Sequence, residues 1–237
     1  MQIISSYFNR KKGIGKYKDV DYSKLKRVFE NSLQFAMPDM KYHIYEMNPP
    51  RPETWRHDLA HSSLKVSQEV LKTKELTAVC DIDLMFLRDI SDIQEMDFDI
   101  AITKRNFKAP INSGVWFYRP GKNAKKFVNL WIKNKLKIMK NFNKYEKIVI
   151  KAAGINQGSL VMTIEELGPK IKLLELPCVE WNATQTEWKD LTDKTRIIHI
   201  KSEVRKYCLG LWKSTKEGHE HMVPLVNKWK SFLKERK

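Results

Sequence analysis

The segment Leu76-Thr77-Ala78-Val79-Cys80-Asp81-Ile82-Asp83 constrains the chain more than any other. A short apolar run bounded by polar residues reads as a buried strand, and this one runs directly into two carboxylates one residue apart. In an extended chain, side chains two apart share a face, so Asp81 and Asp83 point the same way from the strand's carboxyl end. That is where open α/β sheets gather ligands, and hard carboxylate oxygens suit Mg2+ or Mn2+. Strand ends and helix caps also produce Asp-x-Asp, so the pair alone does not name a chemistry.

Around this strand, the pattern alternates between strand and helix. Strand 1–8 precedes a Lys/Gly-rich loop over 9–21, and Ser23 is read as the N-cap of a helix through Phe35 that Met37-Pro38 ends. Strand 42–45 leads into a loop marked by Pro49, Pro50 and Pro52, then a helix over 55–71 and the strand at 76–80. A short helix over 91–95, strands at 98–103 and 114–118 and a loop to Pro110 come next. The helix over 123–142 is expected to bury Phe127, Leu130, Trp131, Ile138 and Phe142. Helix 157–167, strands 171–176 and 196–200 and an amphipathic tail over 223–237, with Val226, Trp229, Phe232 and Leu233 on one side, complete the chain. With 237 residues, 42% of them hydrophobic, and no repeat or linker, the expectation is one α/β domain with a mostly parallel sheet flanked by helices.

The composition excludes a disordered or collagen-like chain, and no apolar run reaches the roughly 18–20 residues that span a bilayer. The expectation is a soluble, intracellular, cytoplasmic protein. Cys80, Cys178 and Cys208 form no metal or disulfide spacing and are read as reduced core thiols. Lys and Arg outnumber Asp and Glu 44 to 28, giving +16, and the excess is concentrated: residues 119–151 hold eleven basic residues against one Glu, and 194–237 twelve against four. Lys133, Lys137, Lys140, Lys144, Lys147 and Lys151 recur at helical spacing, one stripe if the helix is continuous. Such a stripe is either a solvated face or a surface for a polyanion such as DNA, RNA or acidic lipid.

Four blocks, AVCDIDLMFLRDI, INSGVWFYRPG, GINQGSL and RIIHIKSEVRK, occur in this order within residues 76–206. Together they resemble the nucleotide-sugar glycosyltransferases of the GT-A fold, the galactosyltransferase and glycogenin types among them. The resemblance implies that Asp81 and Asp83 bind Mn2+ or Mg2+ and the donor's phosphates, with His199 completing the metal site. Lys201 and Arg205 would contact the diphosphate, although the family's glycine and lysine spacing after the histidine is absent. Asn112 and Ser113 match a turn that hydrogen-bonds the donor sugar, with Gly114 allowing close backbone approach. Asn156 and Gln157 match a pair beside the reacting sugar carbon; with Asn in place of Asp, Gln157 is expected to position rather than to act as a base. Lys65 matches a basic residue that reaches the nucleotide, and Tyr7 would stack on the base. The implied organisation is a nucleotide-binding part over 1–105, a sugar and acceptor part over 106–206 and a basic helical tail over 207–237.

The expected activity is transfer of a sugar from a UDP-sugar to a hydroxyl acceptor. The basic segments, Lys133, Lys137, Lys140 and Lys144 foremost, point to a polyanionic acceptor; compact Lys-rich members resemble viral enzymes that glycosylate hydroxymethylated DNA bases, with Trp212 and Trp229 as candidate stacking residues. The alternatives are a bacterial surface glycan or lipid-linked acceptor and, from another class, a non-catalytic nucleic-acid-binding protein. Gly13-Ile14-Gly15 completes neither a dinucleotide fingerprint nor a P-loop. His57 and His61 lack the further ligand a zinc site needs. A sugar-nucleotide pyrophosphorylase would carry a Gly-rich, Arg-containing loop after the first strand, which SSYFNRKKGIGK does not match.

Overall fold

The structure, a computed structural model, describes residues 1–8, 20–48, 55–106, 109–212 and 217–234, with the backbone alone for 55–59. The expected loops over 9–21 and around Pro49–Pro52, the Gly13-Ile14-Gly15 segment and the last tail residues therefore fall wholly or partly outside the described residues. In chain order the elements are β1 (Gln2–Phe8), α1 (Tyr22–Ala36), β2 (Lys41–Met47), α2 (Trp55–Val70), β3 (Thr77–Asp81), β4 (Leu84–Phe86), β5 (Ile100–Lys104) and β6 (Ile111–Tyr118). They continue with α3 (Lys122–Lys140), α4 (Phe142–Lys151), α5 (Ile155–Leu167), β7 (Leu173–Pro177), α6 (Cys178–Trp181), β8 (Ile197–His199), α7 (Ser202–Cys208) and α8 (Val223–Leu233).

Six strands form one sheet in the order β2-β1-β3-β6-β5-β7. Only β6 runs antiparallel to its neighbours, β3 and β5; the β1–β2, β1–β3 and β5–β7 pairs are parallel. Helices cover both faces, which is why the central strands are apolar on both sides. On β6, Val115 and Phe117 face the layer containing Phe29 and Leu33 of α1, whereas Trp116 and Tyr118 face Phe127 and Trp131 of α3. Burying each of these large side chains stabilises the fold by about 2–3 kcal/mol. A second, two-stranded sheet pairs β4 with β8 antiparallel, placing Leu84 opposite His199.

The structure corrects several expectations. The N-cap of α1 is Asp21, whose carboxylate accepts from the Ser23 and Lys24 amides at 3.0 and 3.3 Å, so Ser23 lies inside the first turn. The helix expected over 123–142 breaks at Asn141 (φ −132, ψ 53), whose N–H closes α3 on the Lys137 and Ile138 carbonyls, and α4 starts afresh at Phe142. β4, α6 and α7 were not expected; three to seven residues are too few to show a period. The tail packs as α8 against α1: Asn31 donates to the Phe232 carbonyl at 2.6 Å, and Trp229 is buried. Trp212 lies edge-on to Tyr207 and stacks on His219, so both tail aromatics have packing partners. The three cysteines are buried and unpaired. Among the described residues, no helix is long and apolar enough to cross a membrane.

Candidate functional site

The end of β3 delivers Asp81 and Asp83, and the pairing of β4 with β8 brings His199 beside them. One acceptor atom from each lies within 4.8 Å of the others, Nε2 of His199 standing 3.5 Å from Asp81 Oδ2 and 3.0 Å from Asp83 Oδ1. A chain of hydrogen bonds settles the histidine tautomer. The Asn112 carbonyl accepts from the Thr103 hydroxyl at 2.7 Å, Thr103 Oγ1 accepts from Asn182 Nδ2 at 2.9 Å, and Asn182 Oδ1 faces His199 Nδ1 at 2.9 Å. Because Thr103 spends its only hydrogen on the carbonyl, Asn182 must turn its amide nitrogen to Thr103 and its oxygen to the ring. Nδ1 therefore carries the proton. Burial and the Lys201 charge hold His199 below its ordinary pKa despite the two carboxylates, keeping the ring neutral at pH 7. Its Nε2 lone pair then converges with two carboxylate oxygens, an arrangement of acceptors that a cation satisfies. Two oxygens and an imidazole nitrogen fit Mn2+ or Mg2+.

Basic side chains flank this cluster. Arg205, held by the Ile200 carbonyl at 2.8 Å, pairs with Asp83 Oδ2, and Lys201 Nζ stands 3.7 Å from Asp81. Burial alone would raise the Asp83 carboxyl, but its neighbours His199, Arg205 and Lys201 outweigh it and hold Asp83 far below the usual carboxylate range. Asp81 shifts the other way: desolvation of its inner side raises it against the opposing pull of Lys201, and the Asp83 charge adds to the rise, while half of the side chain stays exposed and tempers the effect. Gly114 makes the site possible in another way than sugar contact. A Cβ there would lie 2.3 Å from His199 Cε1 and 3.1 Å from Asp81 Oδ2, so only glycine lets β6 pass this close.

Asp81 and Asp83 line a cleft of about 770 Å³, with His199 buried beside them. Ser113, Asn156 and Gln157 line it together with Asp81, Asp83, Lys201 and Arg205. The Asn156 amide donates to Ser113 Oγ at 2.9 Å, and its carbonyl accepts from Ser63 Oγ at 2.9 Å. Gln157 Nε2 donates to the Ala152 carbonyl at 2.5 Å. The turn before α5 uses Ala153 (φ 62) and Gly154 (φ 147), left-handed backbone that aims Asn156 inward. Asn112 is buried beneath the cleft, accepting from the Gly114 amide at 3.0 Å. Lys65 is exposed on α2 and absent from the cleft lining, where its neighbours Ser62, Ser63 and Val66 appear. Tyr7 turns to Glu46, donating at 2.8 Å, while Ser6, Phe8 and Tyr22 line the cleft. Lys133, Lys137, Lys140 and Lys144 are all exposed; Lys137 and Lys144 approach the Tyr145 ring from opposite sides of the break, each at 5.9 Å. The side chain of His57 lies outside the described residues, and His61 is exposed. Sequence reasoning missed Thr103, Asn182 and Ser63, single polar residues in no recognisable pattern.

No protein-family model and no curated protein matches the chain. Solved structures do. The chain is similar to a glycosyltransferase involved in the glycosylation of the major capsid of PBCV-1, with a TM-score of 0.53 and 14% identity over 85% of this chain and 94% of that one. It is similar to the glycosyltransferase GlyE of Streptococcus pneumoniae TIGR4, with a TM-score of 0.57 and 13% identity over 98% of this chain, which spans 62% of GlyE. The galactosyltransferase LgtC, in complex with donor and acceptor sugar analogs, gives a TM-score of 0.55 and 12% identity over 98% of this chain and 100% of that one. The fold is thus the GT-A fold of these glycosyltransferases, with an Asp-x-Asp at the end of a central strand.

Proposed function

We propose that this chain is a metal-dependent glycosyltransferase that moves the sugar of a UDP-sugar onto a hydroxyl acceptor. The observation that carries this reading is the convergence of one ligand atom each from Asp81, Asp83 and the neutral His199 within 4.8 Å of one another, the two carboxylates lining the cleft. Bound there, Mn2+ or Mg2+ supplies charge neutralisation for the departing diphosphate. Arg205 and Lys201, fixed beside the carboxylates, add positive charge where the leaving group develops negative charge. Ser113 and Asn156 offer hydrogen bonds to the donor sugar from the adjoining wall. Gln157 has an amide in place of a basic group, so its role is to position.

For the acceptor, we favour a polyanion, specifically a hydroxymethylated base in DNA turned out of the stack. The wall formed by α4 presents Phe142, Glu146 and Val149 to the cleft, while Lys144, Lys147 and Lys151 of the same helix are exposed. A second reading, a sugar acceptor on a surface glycan or lipid, is favoured by LgtC, which binds an acceptor sugar analog and matches along its whole length. One experiment separates them: Mn2+ and a panel of UDP-sugars, with and without hydroxymethylcytosine or hydroxymethyluracil DNA, read by nucleoside mass spectrometry and UDP release. A hexose or pentose mass on the modified base is the expected result. UDP release without a DNA adduct transfers the acceptor to glycans or lipids, and no UDP release from any donor refutes the transferase reading in favour of a nucleic-acid-binding protein.

A further inference from the structure

Lys135 is the one basic residue of α3 that faces inward. Its side chain is fully buried, with Nζ 4.9 Å from the centre of the Trp131 ring and hydrogen-bonded to Ser63 Oγ. Ser63 in turn donates to Asn156 Oδ1, and Asn156 Nδ2 donates to Ser113 Oγ in the cleft, each at 2.9 Å. A buried ammonium is thus connected through two side chains, Ser63 and Asn156, to the Ser113 hydroxyl in the cleft.

The direction of this chain depends on its first member. An ammonium has three N–H groups and no lone pair. Ser63 can only accept from it, and must turn its single hydrogen towards Asn156 Oδ1. The amide is then held with Nδ2 towards Ser113, whose oxygen accepts, leaving the Ser113 hydrogen available to a ligand in the cleft. A neutral amine has a lone pair to which Ser63 can donate instead. The amide then gains by reversing, Nδ2 towards Ser63 and Oδ1 towards Ser113, and the Ser113 hydrogen is drawn away from the cleft.

We propose that Lys135 is a positioning residue that acts through Ser63 to set the orientation of the Asn156 amide, and thereby whether Ser113 offers the cleft a hydrogen-bond donor. Its consequence for catalysis rests on the glycosyl-transfer reading; the relay itself does not. Burial lowers the Lys135 pKa to about 7, where both forms are populated. On the elements packed against α3, the described titratable groups besides exposed lysines are His61 and Glu69 on α2, Tyr118 on β6, Tyr145 and Glu146 on α4, and Glu165 and Glu166 on α5. None of them contributes to that shift.

The test uses the full chain labelled with 15N-asparagine, with the Asn156 side-chain resonance identified by its loss in Asn156→Asp. Between pH 5.5 and 8.5 that resonance is expected to move with a midpoint near 7. The movement should vanish in Lys135→Met and, as a second route that leaves the lysine in place, in Ser63→Ala. In parallel, the KM for UDP-glucose or UDP-galactose, followed by UDP release, should rise about tenfold from pH 6 to pH 8.5 with little change in kcat, one hydrogen bond's worth. Lys135→Met should flatten that rise. An Asn156 amide that does not titrate, or that titrates alike in Lys135→Met, overturns the proposal, as does an unchanged pH dependence of KM in that variant. A titrating amide in a protein that releases no UDP upholds the relay and fails the transferase reading.

Discussion

Gly114→Ala tests the geometry of the site most directly, because it adds a single carbon where there is no room for one. The new Cβ would lie 2.3 Å from Cε1 and 2.7 Å from Nδ1 of His199. Carbon atoms settle at about 3.5 Å or more, so the ring must retreat by roughly 1 Å. It has nowhere to go, being fully buried, tied to Asn182 at 2.9 Å and already 3.0 Å from Asp83 Oδ1. A retreat of that size takes the bond to Asn182 beyond hydrogen-bonding range. Overpacking costs about 1–3 kcal/mol and an unsatisfied Asn182 oxygen about 1–3 more, so stability should fall by roughly 2–6 kcal/mol. In a chain of this length that is a drop in Tm on the order of 10 °C. Gly158→Ala is the matched control: its Cβ would meet Val149 Cα at 3.4 Å, an ordinary contact, within α5. There alanine's helix propensity contributes up to about 1 kcal/mol of stability. Urea unfolding followed by tryptophan fluorescence measures both variants, and Mn2+ electron paramagnetic resonance titration measures the site. A Gly114→Ala protein within 1 kcal/mol of the parent that binds Mn2+ equally well would refute the reasoning, since His199 would then have room to move.

The two carboxylates should respond differently to the same change. Asp83→Asn leaves Arg205, whose side chain is 14% exposed, against a neutral amide and should cost about 3 kcal/mol, whereas Asp81, 49% exposed, should tolerate Asp81→Asn within about 1 kcal/mol. Both should abolish Mn2+-dependent UDP release, and urea midpoints beside a UDP assay read the contrast. The lowered pKa of Lys135 means that the unfolded chain binds a proton the folded chain gives up above about pH 7. Stability should therefore rise from pH 7 to pH 9, by at most about 1.4 kcal/mol per pH unit, and Lys135→Met should remove that contribution in urea melts across the range. Replacing Lys133, Lys137, Lys140 and Lys144 with Gln should weaken duplex DNA binding and flatten the slope of log K against log salt; an unchanged slope makes these lysines a solvated face.

What could be read from the sequence and what could not divide along sequence separation. The strand leading to Asp81 and Asp83 is legible because its apolar run and the two-residue spacing are local, and β3 forms there as expected. The same local logic gives the inward face of α3, on which Phe127, Trp131 and Ile138 are all buried. Lys135 sits four residues after Trp131 and three before Ile138, so periodicity alone places it inside; its residue type argues for solvent, and the type is what misleads. The reverse holds for the lysine stripe, where the spacing is regular but Asn141 interrupts the helix that would make it one line. Polar pairs defeat a sequence reading altogether when each member is ordinary and its partner distant. Ser63 meets Asn156 across 93 residues, and Asn182 meets Thr103 across 79. The tautomer of His199 follows from such a chain, which ends on the backbone carbonyl of Asn112. That carbonyl is main-chain and is present whatever side chain stands at position 112, so the convergence of acceptors at His199 originates in where β6 runs, and becomes visible only once the sheet is assembled.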